Sequence, residues 1–201
     1  MKEYGIEVHL NTPATITRIK AVDPYCVVVA CGGNQIEPKI PGADKDNVYY
    51  IEDVLLGRVH FEGKKIAVIG GGHVGLEVAH FLCADNDVTV VEMQKEVGTS
   101  IYRTAKYKLL SLLDEAGVKV LTEHAIAGVT DTSAVLRRMD NGETVEIPAD
   151  IVVMALGNRP DKEYIDSIVN SFEKTVVIGD SVSAGTMADA TRAAYEKCFY
   201  I

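Results

Sequence analysis

Short apolar runs recur along the chain at spacings that suit an alternation of strands and helices. Tyr25–Ala30, Lys65–Ile69, Val88–Val91, Val118–Leu121, Asp150–Gly157 and Lys174–Ile178 are each almost continuously apolar. Strands buried on both faces of a parallel sheet carry this pattern. Between the second and third runs the period changes. Val74, Val78 and Leu82 stand four residues apart and predict a helix with that face inward. Its end falls near Ala84–Asn86, where Asn86 suits the left-handed conformation that often closes a helix. A second helix is predicted near Ile101–Ala116, with Leu109, Leu112, Leu113 and Ala116 on one face and Gly117 as its stop. Thr186–Phe199 reads as a third, with Met187, Ala190, Ala194 and Cys198 as its stripe. Pro160–Phe172 reads as mixed helix and loop.

After Leu121 the pattern changes again. Ala125–Thr130, Ala134–Met139 and Thr144–Ile147 are short strands, and Asp140–Gly142 contains the Asn-Gly pair that favours a tight hairpin. The connection back to the run at Asp150 is therefore an antiparallel meander and not a helix. Upstream, Gly5–Leu10 alternates weakly and is a predicted strand, and Thr15–Ala21 is predicted as another. Asp23–Pro24 is a turn, and Ile36–Gly42 is an extended, proline-rich connection. Residues 43–62 read as a linker with one helical turn around Glu52–Leu56.

The candidate chemistry sits where the strand Lys65–Ile69 meets the first helix. Gly70, Gly72 and Gly75 fall there at G-x-G-x-x-G spacing. On their own such glycines are weak evidence; inside a strand–turn–helix–strand unit they are a dinucleotide fingerprint. The first glycine makes the turn, the second lets backbone approach a pyrophosphate, and the third lets helix and strand pack. The helix N-terminus adds free N–H groups and partial positive charge. The candidate phosphate contacts are Gly70, Gly71, Gly72, His73, Val74 and Gly75. Glu92 lies 22 residues beyond Gly70, at the tip of the next strand. A carboxylate there accepts hydrogen bonds from the adenosine ribose and repels a 2′-phosphate, so NADH is expected over NADPH. Lys95 is near enough to weaken that preference. The fold class is α/β, a Rossmann-like parallel sheet with an antiparallel β-meander crossover.

Composition narrows the partners. The chain has 201 residues and a net charge of −9, with a pI near 5.0. That argues against nucleic acid, which needs a basic face. No apolar run reaches the roughly 18 residues that span a membrane, and the N-terminus lacks an apolar signal segment. A cytoplasmic location is expected. Cys26 and Cys31 have C-x-x-x-x-C spacing, but on one strand their side chains would point to opposite faces. They are expected, with Cys83 and Cys198, as buried free thiols. Tyr102 and Lys106 have the Y-x-x-x-K spacing of short-chain dehydrogenases, but too close to the glycines; a solvated helix face is the better reading. His73 and His80 could share a helix face, yet no third ligand completes a metal set. No catalytic residue and no metal ligand is assigned.

Three signals together resemble a known family. An apolar strand ends in Ala30-Cys31-Gly32, ahead of Ile40–Gly42 and the Gly70 unit. A second ends in Ala155–Gly157 followed by Arg159-Pro160. A third ends in Ile178-Gly179-Asp180. The order is similar to the FAD- and NAD(P)H-binding region of the pyridine nucleotide-disulfide oxidoreductases. It is especially similar to the NADH:flavin oxidoreductases that carry an old-yellow-enzyme-like barrel, such as 2-enoate and 2,4-dienoyl-CoA reductases. The resemblance implies a partial FAD-type domain at 1–60, an NAD(H)-binding domain at 61–150, and a return to the FAD-type domain over 151–201. It implies that Ala30 and Gly32 lie near FAD, with Cys31 replacing the usual Thr, and that Gly179 and Asp180 hold its ribityl and pyrophosphate region. It places Gly157 where the chain re-enters that domain, and Glu77 near the nicotinamide. The family's FAD domain opens with its own glycine unit, whereas this chain has one unit in all, so a fragment of a longer enzyme is expected. The expected activity is delivery of hydride from NADH to FAD and onward to centres outside the chain. A non-catalytic adenine-nucleotide module is the alternative. Expected partners are the dinucleotide, a flavin, and either a second copy or the missing flavin and barrel domains.

Overall fold

The computed structural model describes residues 2–201. Contacts divide the chain into two compact units, Met1–Asn34 with Asn158–Ile201, and Gln35–Gly157.

The first α-helix of the first unit is α1 (Ile16–Ala21), where the sequence predicted a strand. The Thr15 hydroxyl caps it by accepting from the Arg18 amide at 3.4 Å. Ile16 and Ile19, one helical turn apart, both face the small core around Ile165 and Ile168. The strand predicted over 5–10 does not form. That segment pairs with no ladder, and Ile6, Val8 and Leu10 are exposed. Strand β1 (Val27–Val29) follows.

The second unit contains β2 (Val48–Tyr50), α2 (Ile51–Leu55), β3 (Lys65–Ile69), α3 (His73–Leu82) and β4 (Asp87–Val91). It continues with α4 (Arg103–Glu115), β5 (Lys119–Leu121), β6 (His124–Val129), β7 (Ser133–Arg138), β8 (Thr144–Pro148) and β9 (Ile151–Met154). Five strands form one sheet in the order β2-β9-β3-β4-β5, each pair parallel. β6, β7 and β8 form a separate antiparallel sheet, which is the meander predicted from the Asn-Gly turn. Gly142 there has φ of +74°. β2 lies within the stretch read as a linker; it is an edge strand of three residues, and its parallel partner β9 is about a hundred residues away in sequence.

The parallel sheet is covered on both faces, which is why its strands read as unbroken apolar runs. Ile66, Val68, Val88, Val90 and Val153 face a core with Leu76, Val78, Ala79 and Leu82 of α3 and Leu113 of α4. Ala67, Ile69, Val91, Val152 and Met154 face a second core with Val129, Ala134 and Leu136 of the meander. Alternate residues of one strand thus feed opposite layers. The inward face of α3 is Gly75, Leu76, Val78, Ala79 and Leu82. Val74, predicted on it, is 42% exposed, since it stands off the face that Gly75, Leu76, Val78, Ala79 and Leu82 turn inward. On α4 only Leu113 is buried, Leu109 and Leu110 are partly covered, and Ala116 is exposed.

The chain then returns to the first unit with α5 (Lys162–Val169), β10 (Thr175–Val177) and α6 (Met187–Cys198). Asp161 caps α5 by accepting from the Tyr164 amide. β10 runs parallel to β1, with Val27 opposite Thr175. Ala190, Ala194 and Cys198 of the predicted α6 stripe are partly covered, but Met187 stays exposed. All four cysteines are free. None is buried, contrary to expectation, and Cys31 is exposed. β1 spans only Val27–Val29, so Cys26 and Cys31 both fall outside the ladder that would have buried them.

Candidate functional site

The glycine turn joins β3 to α3. The Gly70 amide donates to the Val91 carbonyl at 2.8 Å, tying the turn to β4. Gly70 has φ of +116°, and a Cβ there would lie 2.3 Å from the Ala155 carbonyl oxygen. A Cβ on Gly75 would lie 1.9 Å from the Gly70 carbonyl oxygen. A Cβ on Gly71 would lie 2.5 Å from Cγ1 of Val97. These three glycines are therefore required by the protein's own packing. Gly72 differs: a Cβ there would meet no atom within 4 Å. It is the N-cap of α3, and no side chain caps the helix. Among the described residues the amides of Gly72, His73 and Val74 donate to no backbone or side-chain oxygen. Orphan first-turn amides beside open space form a cradle for an anion.

Glu92 completes this side. It is 9% exposed and stands at the end of β4. Its Oε2 accepts from the Gly71 amide at 2.7 Å and its Oε1 from the Gln94 amide at 2.9 Å. Two backbone donors fix the carboxylate's orientation. An ionised carboxylate has about four lone-pair positions, so each oxygen keeps capacity for a further donor. Val97 and Gly98 were not singled out in the sequence. Val97 is buried against Gly71, and the Gly98 amide donates to the Gly71 carbonyl at 2.7 Å. A valine and a glycine in a loop carry no motif, so only the fold reveals them. His73 and Glu77 are exposed on α3, with Nε2 and Oε1 3.3 Å apart.

The residues matched to flavin contacts lie in the first unit, apart from Gly157. Ala30, Gly32, Gly179 and Asp180 line one concavity of about 360 Å³, with Gly185, Thr186 and others. The Gly32 amide donates to Oγ of Ser181 at 3.0 Å, and Cys31 Sγ lies 3.4 Å from the same oxygen. Ser181 is 3% exposed and was not anticipated; a serine two residues past a glycine has no distinguishing signal. Asp180 accepts from the Gly185 amide. Gly157 has φ of +80° and its carbonyl accepts from the Ile36 amide. Among the described residues no group of His, Cys, Asp and Glu is arranged to hold a metal, and no helix is long and apolar enough to cross a membrane.

The family described as pyridine nucleotide-disulphide oxidoreductase matches residues 2–189. A NADH oxidase of Thermoanaerobacter brockii is 30% identical over 218 residues, covering 100% of this chain and 32% of the relative. A cinnamate reductase of Clostridium sporogenes is 34% identical over 200 residues, covering 98% of this chain and 29% of the relative. A solved structure of a 2-naphthoyl-CoA reductase superposes with a TM-score of 0.84 at 28% identity, covering 100% of this chain and 30% of that one. The chain spans about a third of the length of each of these proteins.

Proposed function

The chain belongs to the pyridine nucleotide-disulphide oxidoreductase family as a nucleotide-binding region, and from that premise we propose that it binds NADH on the Gly70–Gly75 turn and presents it to a flavin. The diphosphate is held by the amides of Gly72, His73 and Val74 at the start of α3. The adenosine ribose hydroxyls donate to Glu92. The bare Cα of Gly71 lets Val97 and Glu92 close on the turn, and that of Gly75 lets the helix close on Gly70. Glu77 lies one turn into the helix, on the nicotinamide side of this reading. When bound, the dihydronicotinamide supplies a hydride and a flavin receives it. The chain's own work is to bind and orient, since hydride transfer of this kind asks no general acid or base of the protein. Flavin contacts are assigned to Ala30, Gly32, Gly179 and Asp180, with Gly157 at the chain's return.

The observation that carries the reading is Glu92, locked by two amides beside a helix start whose own amides have no acceptor among the described residues. Calorimetric titration tests it. NADH should bind at least about ten-fold more tightly than NADPH, because the 2′-phosphate would meet a fixed carboxylate. Glu92→Ala should weaken NADH about ten-fold or more and abolish the preference. Equal affinities in the wild type would overturn the selectivity, and no binding would overturn the site. The alternative, an adenine-nucleotide module without turnover, is favoured by one fact: every residue of the glycine–Glu92 site lies within Gln35–Gly157.

A further inference from the structure

We propose that Gly98 is a positioning residue for the diphosphate: its amide, by holding the Gly71 carbonyl, turns the Gly71–Gly72 peptide so that the Gly72 N–H faces the ligand. The inference rests on the nucleotide reading of this turn and deepens it.

The turn offers few donors. The Gly71 amide is already given to Glu92 at 2.7 Å. The next amide, that of Gly72, is the first free one, and its direction depends on the peptide that carries it. That peptide is trans. In a trans peptide the carbonyl and the N–H point opposite ways. The Gly98 amide holds the Gly71 carbonyl at 2.7 Å from one side. The Gly72 N–H must then point to the other, and among the described residues it donates to no oxygen of the chain.

Gly98 is itself constrained to do this. Its φ is +61°, and its carbonyl accepts from the Ile101 amide at 3.1 Å, closing a turn over 98–101. Buried Val97 anchors the segment against Gly71. A β-branched residue resists φ above zero, whereas Asn tolerates it. Space is not the main obstacle, since a Cβ on Gly98 would meet only the ends of Ile101 and Leu76 at 3.1 and 3.2 Å. The loop after β4 therefore sets the aim of an amide in the loop before α3.

ADP is the probe, because it carries the diphosphate and no nicotinamide. Its affinity is measured by calorimetry on the full chain. Gly98→Asn keeps the N–H and the left-handed turn, and should stay within about three-fold of wild type. Gly98→Val should lose about ten-fold or more, the effect of one hydrogen bond to a charged group. Gly117→Val is the control. Gly117 also has positive φ, +76°, with nothing within 4 Å of a Cβ, at the far end of α4. It should lower the melting temperature as Gly98→Val does, yet leave ADP affinity unchanged. In the ¹⁵N spectrum of the wild type, saturating ADP should shift the Gly72 amide resonance. Should Gly98→Val not fold, Gly98→Ala is read in its place and the Gly72 resonance decides. ADP binding by Gly98→Val equal to wild type, or a Gly72 resonance unmoved by ADP, would overturn the proposal while leaving the nucleotide site intact. A wild type that binds neither ADP nor NADH would overturn the site itself, and this proposal with it.

Discussion

Gly72 and Gly75 are three residues apart and share a motif, but the physical demand on each is different. Gly75 is required by the fold, since a Cβ there would lie 1.9 Å from a backbone carbonyl oxygen that cannot move freely. Gly72 has φ of −71° and ψ of −175°, a conformation open to any residue, and no neighbour within 4 Å of a Cβ. Gly75→Ala is therefore expected to cost about 1–3 kcal/mol in urea unfolding, as forced overpacking does. Gly72→Val is expected to change stability by no more than about 0.5 kcal/mol and to abolish NADH binding. The opposite pattern would mean that the open side of Gly72 faces no ligand. G-x-G-x-x-G spacing made all three glycines legible in the sequence. It did not reveal which of them serves the fold and which faces open space.

Elements form here for reasons that range from fully local to wholly distant. α6 begins with a capping box legible in sequence terms as Thr186-x-x-Asp189. The Thr186 hydroxyl and amide both donate to Asp189, at 2.6 and 2.9 Å, and the Asp189 amide returns a bond to the Thr186 oxygen. The Thr186 hydroxyl, followed by the Thr186 amide, holds the Asp189 carboxyl below its ordinary value. A carboxylate with a depressed folded pKa stabilises above its unfolded value, about 3.9, and that support is lost as pH falls through the folded value. The first turn of α6 is thus expected to loosen only as pH falls below about 4. Amide exchange at residues 186–190 measures it, and Thr186→Ala should remove the dependence. Over Thr15–Ala21, where the sequence predicts a strand, Ile16 and Ile19 at helical spacing and the Thr15 cap favour α1 instead. β2, three residues with two tyrosines, carries too little periodicity to be legible in sequence, and its ladder partner is the distant β9.

At the scale of the molecule, a net charge of −9 opposes an anionic dinucleotide at long range. The proposed binding therefore rests on short-range donors, the amides at the start of α3. Each unit holds its own candidate site: the glycine turn with Glu92 in one, and the concavity lined by Ala30, Gly32, Gly179 and Asp180 in the other. The two functional readings separate on this point. Purified chain, reconstituted with FAD and desalted, is expected to keep a yellow absorbance band if the concavity serves a flavin. Colourless protein that still binds NADH would favour the plain nucleotide module.

The sequence by itself determined the βαβ unit, the meander crossover and the pairing of the glycine turn with Glu92. Those features are written in local terms: period, turn chemistry and a fixed count of residues along one strand–helix–strand path. Tertiary structure alone decided that Val97 and Gly98 clasp the turn, that Ser181 receives the Gly32 amide, and that Val48–Tyr50 is a strand. Each depends on a partner distant along the chain, and a hydrogen bond between distant residues leaves no period to read.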